Sequence, residues 1–355
     1  MEKVFAKSIV KRFRPSGMET ARLTNSGTEA NMLAIAAALH FTKRRKVLVF
    51  SGGYHGGTLI FSMDLMKNRC NVNLPHDFVF APFNNIEETK AIVQALPAES
   101  LAAILVEPVQ GSGGCRPATR EFIQYLRRSA DDQRCLLIID EVMTSRLCPN
   151  GCSAAMGIKA DLMSLDKFAG DSMAFGAFGG RRDIMEVFDP EKSGLQHPGT
   201  YINNAITMSA GIAGPEEKNA AQVERLNALG IEFKTRIQEI LITHGIYAPH
   251  PAGASRSIAE TDSFKYQTMI CPDSPSCPAH ERLPIIFVTG YGGMVTVRFS
   301  GFHAKELQTL YYFHMLEHKV YLAPRHYTAL YSELHDADVD KYYVCIQVRG
   351  PNKIG

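Results

Sequence analysis

Three short runs with almost no polar alternation set the first limit on this fold. They are Lys46-Val-Leu-Val-Phe50, Leu101-Ala-Ala-Ile-Leu-Val106 and Cys135-Leu-Leu-Ile-Ile-Asp140. A strand buried on one face alternates apolar and polar residues, whereas a strand buried on both reads as a continuous apolar run. Phe78-Val-Phe-Ala81 and Phe175-Gly-Ala-Phe-Gly-Gly180 are further strand candidates, and helical stretches near 86–96 and 119–131 separate some of them. The pattern predicts an α/β chain with a mostly parallel central sheet covered by helices on both faces. With 355 residues there is room for two domains.

The remaining elements follow from caps and composition. Thr24-Asn-Ser-Gly-Thr-Glu-Ala30 opens with small capping residues and starts a helix that runs to about Thr42. Pro215-Glu-Glu-Lys-Asn219 has proline and acids suited to a first turn, which predicts a long helix continuing to about His244. Residues 247–284, rich in Pro, Ser and Ala, read as a loop or insertion. Beyond them we expect a strand at Met294–Ser300, a helix from Ala304 to His318 and a last short strand at Val320–Ala323. The division is therefore expected near residue 214, with a large domain over 1–213 and a smaller α+β domain over 214–355. The opening Met1–Arg14 is basic and amphipathic. A mitochondrial leader has that character, but Val4, Phe5, Ile9 and Phe13 also suit an ordinary domain helix, which is the reading preferred.

Charge and cysteine usage narrow the function classes. Lys plus Arg minus Asp plus Glu is 38 − 36 = +2, which gives no electrostatic case for nucleic-acid or membrane partners. The basic Lys43-Arg44-Arg45-Lys46 reads as a solvated helix end. No apolar run approaches the length of a membrane span. Cys148 and Cys152, and Cys271 and Cys277, lack the spacing of a metal knuckle, so no metal is expected. Reduced thiols and a cytoplasmic location are the expectation.

The residues that carry chemistry sit near strand ends. In an open parallel sheet, ligands bind beyond the carboxyl ends of the strands. Glu107 and Asp140 close two apolar strands there. Lys167 follows a further apolar stretch and precedes a glycine. A desolvated lysine forms an imine with an aldehyde cofactor, and a buried aspartate can hold the ring nitrogen of such a cofactor protonated. Ser26-Gly27-Thr28 lies at a helix start, where free N–H groups and the helix dipole suit a phosphate; a plain N-cap is the competing reading. Tyr54 and His55, between paired glycines, form a loop where backbone approaches a ligand or, as readily, a tight turn. His197-Pro-Gly-Thr200 offers a hydroxyl before a helix, its histidine suiting a loop hydrogen bond better than catalysis. Arg298 and Arg325 have the fork geometry to clamp a carboxylate, against the simpler role of surface ion pairing.

Taken in order, Asn25-Ser-Gly-Thr-Glu-Ala30, Gly53-Tyr-His-Gly56, Glu107-Pro108, Asp140-Glu-Val142, Lys167 and Gly199-Thr200 resemble the class III, pyridoxal-phosphate-dependent aminotransferases of fold-type I. Asp140-Glu-Val-Met-Thr144, Phe175-Gly-Ala-Phe-Gly-Gly-Arg-Arg-Asp-Ile-Met185 and Val320-Tyr-Leu-Ala-Pro324 look most like the glutamate-1-semialdehyde 2,1-aminomutase branch. The resemblance implies pyridoxal 5'-phosphate as cofactor, joined to Lys167 as an aldimine, with Lys167 also moving the proton. It implies that Asp140 binds the pyridine nitrogen between Val142 on one ring face and Tyr54 on the other. Gly27 and Thr28 would hold the phosphate, joined by Thr200 from the second subunit of a homodimer, and Glu107 would lie near the phenolic side.

Two features depart from the family pattern. Members usually begin many residues earlier, so the expectation is a large domain short at its N-terminus: either the chain is incomplete or the part of the pocket that this segment lines is missing. The family's Lys-x-x-Gly-Gly-Gly reads Lys167-Phe-Ala-Gly-Asp171-Ser172 here, and a carboxylate at 171 is expected to disfavour acidic substrates. The activity expected is transamination between a small-molecule amino donor and a carbonyl acceptor. An aminomutase-type isomerase and a pyridoxal-phosphate-binding protein with reduced or lost activity are the alternatives.

Overall fold

The computed structural model describes residues 1–61, 76–170, 173–192, 194–217, 219–246, 285–323, 327–330, 334 and 336–347. The loop or insertion expected over 247–284 lies outside the described residues, as do Asp171, Cys271, Cys277 and Arg325. The chain forms two compact units, one of Met1–Gly113 with Ala118–Val223 and one of Gly114–Pro117 with Glu224–Gly355.

The first unit is built on seven strands: β1 (Thr20–Thr24), β2 (Lys46–Phe50), β3 (Asp77–Ala81), β4 (Leu101–Val106), β5 (Leu136–Asp140), β6 (Leu162–Leu165) and β7 (Gly176–Gly180). Their order in the sheet is β1-β7-β6-β5-β4-β2-β3. Pairs β6–β5, β5–β4, β4–β2 and β2–β3 are parallel, and only β7 runs against its neighbours. The continuous apolar runs have the cause read from the sequence. Leu48, Phe50, Leu137 and Ile139 pack into one core, while Val47, Val49, Leu136 and Ile138 pack into another across the sheet. Successive side chains point to opposite faces, and both faces are dry.

Helices complete those two cores. Helix α1 (Glu2–Phe13) buries Phe5, Ile9 and Phe13 on the first face, where α4 (Arg120–Asp132) adds Phe122, Ile123 and Leu126. Val10 of α1 also packs against this core, whereas Val4 points outward and does not serve it. Helix α2 (Gly27–Thr42) lies on the second face with Ala30, Ala34, Ile35, Ala37 and Ala38 buried, short side chains that let its backbone approach the strands closely. Helix α3 (Ile86–Gln94) completes the set, capped by Asn85 Oδ1, which accepts from Glu88 N–H. The basic run after α2 is not a free patch. Arg44 donates to the carbonyls of Leu101, Gln133 and Arg134 and pairs with Glu99, and Lys46 pairs with Asp77.

Two sequence expectations are corrected. Pro215 does not start a helix; it lies within α5 (Ala205–Glu217), and α6 (Ala220–Thr243) begins after it. The caps are asparagines: Asn204 Oδ1 accepts from Thr207 N–H, and Asn219 Oδ1 from Gln222 N–H. Val320–Ala323 is not a strand either. Its first N–H donates to Met315 O while Lys319 N–H donates to Leu316 O, and Lys319 is left-handed at φ 60, so the segment closes the end of α7 (Ala304–Glu317).

The second unit carries an antiparallel sheet of β8 (Ile286–Tyr291), β9 (Met294–Phe299) and β10 (Tyr327–Ala329), in that order. Phe287, Val288, Val295 and Val297 pack with Phe233, Ile237 and Leu241 of α6, Met315 of α7, and Tyr342 and Tyr343 of α8 (Asp336–Gln347).

Candidate active site

The carboxyl ends of β5 and β6 bring the centre together. Asp140 ends β5 and is in parallel register with Ser164 of β6, three residues before Lys167. The Asp140 carboxylate is buried and accepts three hydrogen bonds. Asn31 Nδ2 and His55 Nδ1 each donate to Oδ2 at 2.8 Å, and Val142 N–H donates to Oδ1 at 2.9 Å. A ring nitrogen facing a carboxylate carries the proton, which assigns the Nδ1–H form to His55.

Asn31 ties this end of the sheet to α2. Besides Asp140, its amide donates to His55 O at 3.1 Å, and its Oδ1 accepts from Ser164 Oγ at 2.7 Å. All of these groups are buried, so each missing partner would leave a costly orphan. Neither Asn31 nor Ser164 was singled out in the sequence. The available signal was a polar residue about one turn into an alanine-rich helix, and its partner on β6 lies 133 residues away.

Glu107, just past β4, holds the loop that carries Tyr54 and His55. Its Oε1 accepts from Tyr54 N–H at 3.0 Å and its Oε2 from Gly111 N–H at 2.9 Å. Burial pushes the Glu107 carboxyl up to about 7; His55 opposes the rise, Asp140 adds to it, and the two N–H donors oppose it. The Tyr54 side chain itself is exposed. Glu141, next to Asp140, has a structural job: it accepts from Ser153 N–H, Ser153 Oγ and Thr144 Oγ1, and burial again raises its carboxyl.

The N-terminus of α2 faces the same strand ends. Ser26 is its N-cap, with Oγ accepting from Glu29 N–H, and the Glu29 carboxylate reaches back to Asn25 N–H. The plain N-cap reading of Ser26 therefore holds, with the hydroxyl proton still available to donate. Thr28 N–H has no partner among the described residues, and Thr28 packs so closely on Gly56 that a Cβ there would lie 2.4 Å from Thr28 Oγ1. A Cβ on Gly27 would lie 2.7 Å from Val142 Cγ2 and 3.1 Å from Asp166. Gly27, Val142 and Asp166 thus share one small space. Asp166 was not singled out either. Its Oδ2 accepts from Gly27 N–H at 2.9 Å and its Oδ1 from the N–H of Lys167.

Lys167 follows with φ at 51°, a left-handed conformation that costs a non-glycine residue about 1 kcal/mol or more. Its side chain is exposed and has no ion-pair partner among the described residues. Two of the sequence candidates stand apart. Thr200 is exposed and bonds none of these residues, and His197 accepts from Arg22 Nε beside Phe178 and Phe188, a loop hydrogen bond as its type suggested. Arg298 lies with its guanidinium 5.4 Å from the Phe287 ring centroid. Among the described residues no cluster suited to a metal ion occurs, and no helix is long and apolar enough to cross a membrane.

A buried, triply bonded carboxylate, a lysine beyond the neighbouring strand and a helix N-terminus between them have the elements of an aldehyde-cofactor site. Comparison with known proteins agrees. Residues 2–246 match the family of class-III aminotransferases. The chain is 37% identical over 356 residues to the β-phenylalanine transaminase of Variovorax paradoxus, covering 98% of this chain and 72% of that protein. It is 30% identical over 341 residues to the glutamate-1-semialdehyde 2,1-aminomutase of Clostridium kluyveri, covering 92% and 74%. Among solved structures, a β-phenylalanine aminotransferase from Variovorax paradoxus superposes with a TM-score of 0.81 at 35% identity, over 98% of this chain and 73% of that one. With its parallel sheet, its site and these relatives, the chain belongs to the class-III aminotransferases, fold-type I enzymes that transfer amino groups with pyridoxal 5'-phosphate.

Proposed function

We propose that this enzyme moves an amino group from a β-amino acid bearing an aromatic group to a keto acid, with Lys167 as the catalytic residue. The observation that carries the site assignment is the register of β5 and β6, which sets Asp140 and Lys167 at neighbouring strand ends. The substrate class rests on the relative of 37% identity; the aminomutase is more distant at 30%.

The residues fit the cofactor on most counts. Bound pyridoxal phosphate supplies an aldehyde carbon for amines to condense with and a ring that takes up electrons. Asp140 Oδ1, with one donor from Val142, keeps a lone pair for a ring N–H, while Asn31 and His55 fix the carboxylate through Oδ2. Val142 supports one ring face, and the exposed Tyr54 ring is free to cover the other. Ser26, Gly27 and Thr28 present a hydroxyl, backbone N–H groups and the positive end of α2 to the phosphate. One count disagrees: the Gly27 N–H is already held by Asp166.

Each side chain then has a defined task. The Lys167 amine would hold the cofactor through its aldehyde carbon and would carry a proton between that carbon and the substrate carbon that bears the amine. Glu107, ionising near pH 7, positions Tyr54 and His55 and adjusts the charge around Asp140. Thr200 is supplied to the site of a second copy: it lies beside exposed Tyr201 and Ile206, apolar groups that a homodimer interface would cover. The division into a cofactor-binding domain over 1–213 and a small domain over 214–355 is part of the same proposal. Five buried free cysteines among the described residues support work in a reducing, cytoplasmic setting.

The test is spectroscopic and catalytic together. The protein reconstituted with pyridoxal phosphate is expected to show the visible band of bound cofactor, and β-phenylalanine is expected to bleach it. Lys167→Ala is expected to lose the band's lysine-dependent position and all turnover. A band that glutamate semialdehyde alone turns over, with no keto acid added, would instead favour the isomerase. An unchanged band in Lys167→Ala would overturn the assignment of the lysine.

A further inference from the structure

We infer that Asp166 lowers this enzyme's affinity for the cofactor phosphate by competing with it for the N-terminus of α2. The inference rests on the proposed reading that Ser26, Gly27 and Thr28 cradle that phosphate. The Asp166 carboxylate is a built part of this cradle. One oxygen accepts from Gly27 N–H at 2.9 Å and the other from Lys167 N–H. The space over Gly27 is small, bounded by Val142 Cγ2 and by the Asp166 side chain itself. A phosphate oxygen bonded to Gly27 N–H would stand where Asp166 Oδ2 stands, and two anions do not share one N–H.

Two consequences follow. For the phosphate to take Gly27, the carboxylate has to swing away, which gives up its bonds to Gly27 and Lys167. Once displaced, the carboxylate is still tethered beside the part-buried Gly27 N–H and repels a dianion bound there. Thr28 N–H and the hydroxyls of Ser26 and Thr28 remain as donors, so binding persists but is weakened. The effect is specific to the phosphate. It leaves the ring contacts of Asp140, Val142 and Tyr54 untouched.

The comparison of pyridoxal phosphate with pyridoxal isolates that term. Dissociation constants of both are measured by absorbance titration for the wild type, Asp166→Asn and Asp166→Gly, with inorganic phosphate as a competitor of pyridoxal phosphate. The expected result is a fall of about tenfold or more in the constant for pyridoxal phosphate in both variants. Inorganic phosphate is expected to compete correspondingly better. The constant for pyridoxal should move less than about twofold, which also reports an intact fold. Equal binding of pyridoxal phosphate by wild type and both variants would overturn the inference. Thr28→Val, combined with Ser26→Ala, tests the cradle separately by narrowing the preference for the phosphorylated over the unphosphorylated cofactor. If that preference is unchanged, the cradle reading falls and the inference falls with it. If it narrows while the Asp166 variants bind as wild type, only the inference falls.

Discussion

Glu107→Gln should remove a fall in stability with rising pH from the cofactor-free protein. Burial sets the Glu107 carboxyl at about 7, against 4.5 for the same group in water. Between those limits the folded chain keeps a proton that the unfolded chain has released. Wild-type stability therefore falls as pH rises from about 4.5 to 7 and is level above that. At about 1.4 kcal/mol per unit, the cost reaches about 3 kcal/mol by pH 8. Glutamine resembles the protonated acid: one oxygen still accepts an N–H, and the amide leaves either Tyr54 or Gly111 without its acceptor, which costs about 1 kcal/mol. The variant should match or fall slightly below wild type at pH 5 and exceed it at pH 8 by about 2 kcal/mol. For 355 residues the unfolding entropy is about 0.7 kcal/mol per kelvin, so the gain appears as about 3 °C in a thermal melt. Melts of the two proteins from pH 4.5 to 8.5 that run parallel would refute the reasoning, because they would mean that Glu107 ionises as freely in the fold as in water.

Three other outcomes are expected. Asn31→Ala strips donors from Asp140 and His55 O and an acceptor from Ser164, and should cost about 1–3 kcal/mol in a denaturant melt; a loss below about 0.5 kcal/mol would show the network to be dispensable. Phe50→Ala empties a fully buried position between Phe83 and Phe122 and should cost about 3–5 kcal/mol, read as a lowered Tm. In the second unit, Gly230→Ala places a Cβ 1.9 Å from Gly292 O. It should destabilise that unit despite alanine's helix preference of about 1 kcal/mol, and proteolysis of the second unit would detect the opening.

The parallel sheet was legible because burial on both faces removes the polar alternation from a strand. Leu136 and Ile138 feed one core while Leu137 and Ile139 feed the other, so no position was left for a polar residue. Helix boundaries were less legible where two residue types compete for one role. Pro215 suits a first turn, but Asn219 supplies the side-chain acceptor that a helix start needs, and the asparagine marks the boundary. Val320 has a strand former's side chain, yet its N–H is consumed in closing α7. In the site, Asp140, Gly27 and Lys167 carry signals of position, at strand ends or a helix start. Asn31, Ser164 and Asp166 are harder to read, because each takes its role from a partner more than a hundred residues distant.

The left-handed turn at Lys167 has a consequence for anyone engineering this protein. A stability screen blind to chemistry would favour glycine at 167, since glycine adopts the left-handed backbone without strain. The most thermostable members of such a library would be enriched in chains that have lost their amine. On the proposed role of Lys167, directed evolution here has to select for turnover and heat resistance in the same round, because at position 167 the two demands pull in opposite directions.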